Sequence, residues 1–218
     1  MRFYYALIGD VIASRDIDAR AAFQRHLGDA LEKLSARHAA AVAAPLRLTA
    51  GDEVQGLLAR PETAVDLVVG LADALRPVGL VWGLGRGGLS TDLGADVATL
   101  DGPCFHRARA ALEEARRIEG WLRAGGFGRP EDEVLGALFR CMNAIRSRWT
   151  DVQARYAREV RGRLQREVAE RLEVSEAAVS KSLSASRFAA VQEAEDAARA
   201  LLRHLGDRDE DGPMEVES

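Results

Sequence analysis

Two acidic turns, Ile8-Gly9-Asp10-Val11-Ile12 and Thr49-Ala50-Gly51-Asp52-Glu53, place carboxylates just past short apolar runs. Carboxylates at strand ends, with glycine lowering the bulk beside them, are how a sheet presents hard oxygen ligands to a divalent cation. One such turn alone reads as an ordinary hairpin, since Asp and Gly both favour turns. Two together predict a site for Mg²⁺ or Mn²⁺ and a nucleotide, with Asp10 and Asp52 as ligands. Glu53, next to Asp52, would point to the other side of an extended hairpin and reads as either a third ligand or a surface charge. A second chemistry-bearing stretch lies between Arg140 and Arg171, where nine arginines face four carboxylates. That excess suits phosphate contact, and a solvated helix face accounts for it equally well.

The acidic turns need a sheet to hold them. Runs with strand character occur at residues 3–8, 46–49, 54–58 and 79–84. Amphipathic helical patterns separate them. The first helix puts Phe23, Leu27, Ala30, Leu31 and Leu34 on one stripe; the second, opened by Pro61, repeats Val65, Val68, Val69, Ala72 and Leu75. A third begins near Pro103 and carries Ala111, Leu112 and Ala115. The order β-α-β-β-α-β predicts an α/β (α+β) ferredoxin-like palm with helices on one face of its sheet, over residues 1–120. Residues 121–130, rich in glycine, read as a linker. Gly83-x-Gly85-x-x-Gly88 matches a dinucleotide-binding string, but no helix follows directly and no acidic residue stands near position 105; strand glycines that admit a ligand or another backbone fit better.

Residues 131–206 read as an all-α domain. Leu135, Leu138, Phe139, Met142, Ile145 and Trp149 form one stripe, continued by Val152, Tyr156, Val160 and Leu164. Residues 165–172 and 176–188 then form two short helices divided by Glu173-Val174-Ser175. This pair, within 165–188, resembles the helix-turn-helix of bacterial DNA-binding proteins: Ala169 allows close approach, Val174 plugs the turn, Ser175 caps the second helix, and Val179 and Leu183 turn inward. Glu173 replaces the glycine many such turns carry. Ser175, Glu176, Ala177, Ser180, Lys181 and Ser184 would face double-stranded DNA, with a homodimer as the expected assembly. Residues 207–218, with six acidic side chains and one arginine, lack an apolar period and are expected to be disordered.

Composition bounds these readings. The chain has 218 residues, a formal net charge of −4 and 47% hydrophobic residues, ample for a buried core. No apolar run reaches the roughly 18 residues of a membrane helix, so no membrane partner is expected and the cytoplasm is the expected location. Cys104 and Cys141 are isolated and read as buried thiols.

The segment Asp10-Val11-Ile12-Ala13-Ser14 resembles the first metal-binding segment of class III nucleotidyl cyclases. Gly51-Asp52-Glu53-Val54 is similar to their second, on a hairpin that also resembles that of diguanylate cyclases, and residues 81–89 resemble their glycine-rich fourth strand. The resemblance implies a palm in which Asp10 and Asp52 hold two metal ions against a nucleoside triphosphate or signalling nucleotide. It further implies nucleotide contacts from Val11, Ser14, Arg15, Gly51, Arg86 and Arg107. His106 stands where the cyclases carry a transition-state asparagine and Ala110 where they carry an arginine; Arg109, one helical position away, and His106 are the substitutes. Leu48 and Thr99 replace the base-selecting pair, which lowers the expectation of cyclase activity. Residues 4–10, 51–53, 83–88 and 101–103 resemble corresponding stretches of the bacterial SatD family. The leading expectation is a DNA-binding regulatory protein with a metal- and nucleotide-binding, cyclase-like sensor; the rival is a nucleotidyl cyclase or transferase.

Overall fold

β1 (Tyr4–Val11) is apolar on both sides. Tyr5, Leu7 and Val11 join one core, and Ala6 and Ile8 join another, as a central strand requires. A computed structural model describes residues 2–13, 17, 19–49, 51–94, 96–118 and 120–210; Ser14, Arg15 and the tail from 211 lie outside the described residues. β1 pairs antiparallel with β3 (Glu53–Leu58) and with β4 (Leu80–Gly87), and β2 (Val42–Leu48) pairs with β3. The sheet order β2-β3-β1-β4-β5 is the ferredoxin-like arrangement with one strand added.

The added strand is β5 (Leu122–Gly125), parallel to β4. It falls in the segment expected to be a linker. Phe127 then stacks on Tyr5, and the Asp132 carboxylate accepts the N–H groups of Gly126 and Phe127, both at 3.1 Å. The connection is therefore fixed to the sheet at several points.

Helices cover both faces, where one was expected. α1 (Arg20–Arg37) and α2 (Thr63–Leu75) bury Leu27, Leu31, Val65, Val68 and Leu71 against Leu7, Trp82 and Leu84. α3 (Pro103–Arg117) lies on the other face, burying Cys104, Phe105, Ala108 and Leu112 against Ile8, Leu57 and Val81. The β4 glycines make this possible. A Cβ on Gly83 would fall 2.0 Å from the Ala108 carbonyl oxygen, and one on Gly85 2.1 Å from that of Cys104. The backbone they admit is thus that of α3.

The rest is helical: α4 (Arg129–Arg146), α5 (Asp151–Glu159), α6 (Gln165–Arg171), α7 (Glu176–Ala185) and α8 (Phe188–Glu210). A capping box between Thr150 and Gln153 starts α5 afresh, so the expected stripe breaks there. Val152 and Leu164, read as core, are exposed. α8 returns to the palm: Ala198, Leu202 and Leu205 are buried, and Gly206 packs on Pro61. Residues 207–210, expected to be disordered, form its last turn. There Asp209 accepts hydrogen bonds from Tyr5 Oη (2.6 Å) and Arg86 Nε (2.7 Å). One apolar core runs from α1 and α2 through α4 to α7 and α8.

A buried ionic cluster crosses the same seam. Glu195 of α8 is fully buried and accepts two bonds from Arg161, at 2.6 and 2.7 Å. Arg161 also binds Asp73 of α2 (3.2 Å), which binds Arg146 of α4 (2.5 Å). Two of the nine arginines of the basic stretch are thereby neutralised inside the protein. Among the described residues, no helix is long and apolar enough to cross a membrane. Cys104 is buried, and burial pushes its thiol up to about 11; Cys141, expected to be buried, is exposed.

Candidate functional site

Antiparallel register sets Asp10 directly opposite Glu53, so both side chains emerge on the α3 face. Asp52 sits in the β2–β3 turn beside them, after Gly51, whose φ of +69° favours glycine. The three acidic residues do gather, as their spacing suggested. Arginines from α3 meet two of them: Arg116 Nη2 is 2.9 Å from Asp10, and Arg109 Nη1 is 3.3 Å from Glu53. Seven residues separate these arginines, two helical turns, so one face of α3 supplies both.

Burial raises the Asp10 carboxyl above its ordinary range, Arg116 opposes this, and Asp52 and Glu53 add to it. Arg116 itself is desolvated, yet its bonds to Asp10 outweigh that and hold the guanidinium charged. Since a guanidinium stays charged at every working pH, the carboxylate decides the pH dependence. A carboxyl raised in the folded state favours folding when protonated, and that contribution is lost as pH rises through the carboxylate range. Asp10→Asn is therefore expected to melt higher than the parent at pH 7, by a few degrees at about 2–4 °C per kcal/mol for this size. The gap should close toward pH 3. A lower melting temperature at pH 7 would mean that the Arg116 pair outweighs burial.

This geometry does not fit a preformed two-metal centre. Arg116 and Arg109 already neutralise Asp10 and Glu53, and no group of three or more His, Cys, Asp or Glu side chains among the described residues is arranged to hold a metal. His106 pairs with Asp101 at 3.0 Å; on α3 it lies about one turn from Arg109 and ten residues, about 15 Å, from Arg116. Arg86 and Arg107 are engaged at the other end of the sheet. Arg86 is held by Asp209 and by the Gly126 carbonyl, and Arg107 donates to the Arg86 carbonyl at 2.7 Å. Both fasten the far end of the sheet rather than reach for a phosphate. Val11 follows Asp10 as a buried strand end. Ser14 and Arg15 lie outside the described residues.

What composition and spacing did not reveal is a cavity of about 1110 Å³ beside Asp10, between the ends of β1 and β4 and helices α4 and α5. Asp10 and Arg116 form one wall and Arg155 and Arg158 of α5 the other.

At the C-terminal end, α6 and α7 sit as the helix-turn-helix reading expects. Glu173 takes a φ of +54° at the position where glycine is common, and the Val174 N–H donates to the Ala169 carbonyl at 3.0 Å. Ser175 Oγ accepts the Ala178 N–H at 3.2 Å, capping α7. Val179 and Leu183 are buried, and Ser175, Glu176, Ala177, Ser180, Lys181 and Ser184 are all exposed. Val174 does not plug the turn: it is 36% exposed. The turn is held by the Ala169 backbone and by Val168 in the core.

The fold and site define a ferredoxin-like domain with an acidic strand end, carrying a helical region that contains a helix-turn-helix. The chain belongs to the SatD family, whose model matches residues 4–202. Two solved structures of a bacterial light-regulated adenylyl cyclase are similar at 12% identity, each aligned over 56% of this chain. Their TM-scores are 0.43 and 0.44, over 74% and 42% of the respective cyclase chains. No curated protein matches.

Proposed function

We propose that this SatD-family protein is a DNA-binding regulator whose palm-like domain senses a small ligand. The observation that carries this reading is α7: a capped helix after a tight turn, anchored inward by Val179 and Leu183, with six polar or small residues exposed along its start and outer face. That is the form of a helix that enters a major groove N-terminus first. Lys181 supplies a phosphate contact, and Ser180 and Ser184 address base edges. Each protomer of a homodimer would place one α7 in one half-site. In this reading the palm contributes regulation, and Arg116 and Arg109 pair with Asp10 and Glu53 at its acidic strand end. No metal-dependent step is part of this reading.

Selection from a random duplex library at low salt tests it. The full chain should enrich a defined, two-fold symmetric sequence, and Ser180→Ala with Ser184→Ala should change which bases are enriched, each altered position being worth about 1–3 kcal/mol. Recovery of unselected sequence by both proteins would remove the DNA reading.

A further inference from the structure

We infer that the cavity between the palm and α5 is a metal-independent binding site for a phosphorylated ligand of nucleotide size, and that its occupancy is passed to α7. The second clause rests on the DNA-binding reading; the first does not. Five arginines line the cavity against three aspartates, Asp10, Asp73 and Asp151. The pairings leave positive charge over. Arg116 is taken by Asp10 and Arg146 by Asp73. Arg76 donates to the neutral Trp149 carbonyl, and its only carboxylate partner among the described residues is Asp151, which is almost wholly solvent-exposed and so a weak one. Arg158 donates to the neutral Asp73 carbonyl at 3.3 Å. Arg155 makes no hydrogen bond or ion pair among the described residues. Three guanidiniums around one space suit the oxygens of a phosphate, which planar forks bind well. The lining also includes the apolar side chains of Pro77, Val78, Trp121 and Trp149. At about 1110 Å³ the cavity is slightly larger than the roughly 300–1,000 Å³ usual for small-molecule sites.

Two connections lead from this wall to α7. α5, which carries Arg155 and Arg158, packs directly on α7. Trp149, in the cavity wall, donates its Nε1–H to the Ser186 carbonyl at the end of α7, at 2.7 Å. Arg146 stacks over both Trp121 and Trp149, with centroid distances of 5.1 and 4.9 Å, so the indoles are held in place before any ligand arrives. A ligand drawing Arg155 and Arg158 inward moves α5, and α7 with it.

The test is titration of AMP, ATP, inorganic pyrophosphate and adenosine into the full chain in EDTA, followed by calorimetry and tryptophan fluorescence. At least one of the two nucleotides should bind, adenosine should bind at least tenfold more weakly, and Arg155→Ala with Arg158→Ala should cut nucleotide affinity at least tenfold. Lys181→Ala should leave it unchanged. Absence of nucleotide binding, or equal binding by the double variant, overturns the site. If the double variant loses DNA affinity while the parent binds no nucleotide, these arginines belong to the DNA surface and the site is likewise overturned. For the relay, bound nucleotide should change DNA affinity in the parent and fail to do so in Trp149→Phe, which keeps an aromatic wall without the Nε1 donor. Equal effects in both would overturn the relay, and absence of DNA binding would remove it while leaving the nucleotide site standing.

Discussion

Glu195→Ala is expected to destabilise the protein by about 3–5 kcal/mol, because it leaves two largely buried arginines, Arg161 and Arg146, with the single carboxylate of Asp73 between them. At this chain length that is a fall in melting temperature on the order of 10 °C. Glu195 has no solvent exposure and takes two bonds from Arg161, while Arg146 Nη1 already lacks a full hydrogen-bond partner, its distance to Glu195 being 3.8 Å. The network therefore has no spare acceptor. Arg161→Met combined with Glu195→Met should recover much of the loss, since removing both charges leaves neither stranded. Thermal unfolding of Arg161→Met, Glu195→Met and the double variant gives the coupling. A loss below about 1 kcal/mol in Glu195→Ala would mean that α8 is held by its apolar face alone.

Gly83→Ala is expected to be at least as damaging. The new Cβ would fall 2.0 Å from the Ala108 oxygen and 2.5 Å from the Leu112 nitrogen, both backbone atoms of α3. No rotamer change relieves such a contact, so α3 must lift from the sheet. Overpacking of this kind costs about 1–3 kcal/mol even where side chains can yield. Lifting α3 also draws Arg116 and Arg109 away from Asp10 and Glu53. Gly28→Ala is the control: nothing lies within 4 Å of that position, on an exposed turn of α1. It should stabilise by about 0.5–1 kcal/mol through helix propensity. Circular dichroism melts of the two variants separate the cases, and a Gly83→Ala melt matching the parent would contradict the close packing of α3 on β4.

Apolar periodicity exposed the parts of this fold whose partners are local. The stripes of α1 and α2, the four palm strands and the capped α7 all carry their own pattern. What sequence concealed depends on distant partners. β5 has four residues and glycines on either side, and its strand character comes only from pairing with β4. The end of α8 has no apolar period, and Asp209 is ordered by Tyr5 and Arg86, 204 and 123 positions away. The β4 glycines signalled a close approach without saying of what, and so α3 on the second face was missed. At the site, the acidic turns carrying Asp10 and Asp52 were legible from their place at strand ends, while the direct pairing of Asp10 with Glu53 comes from the strand register. Arg116 and Arg109 were not legible, since their role depends on where α3 crosses the sheet. The cavity was least legible, being assembled from the strand ends, α2, α4 and α5.

The central claim is that α7 binds DNA, and the salt dependence of affinity tests it most directly. Fluorescence anisotropy of the full chain on the selected duplex, from about 50 to 200 mM KCl, should give log K falling linearly with log salt, by about 0.9 per phosphate contact. Lys181→Ala should weaken binding and make the slope shallower by about one unit, as loss of a single phosphate contact requires. Binding that ignores salt, or a Lys181→Ala line superimposed on that of the parent, would contradict the account.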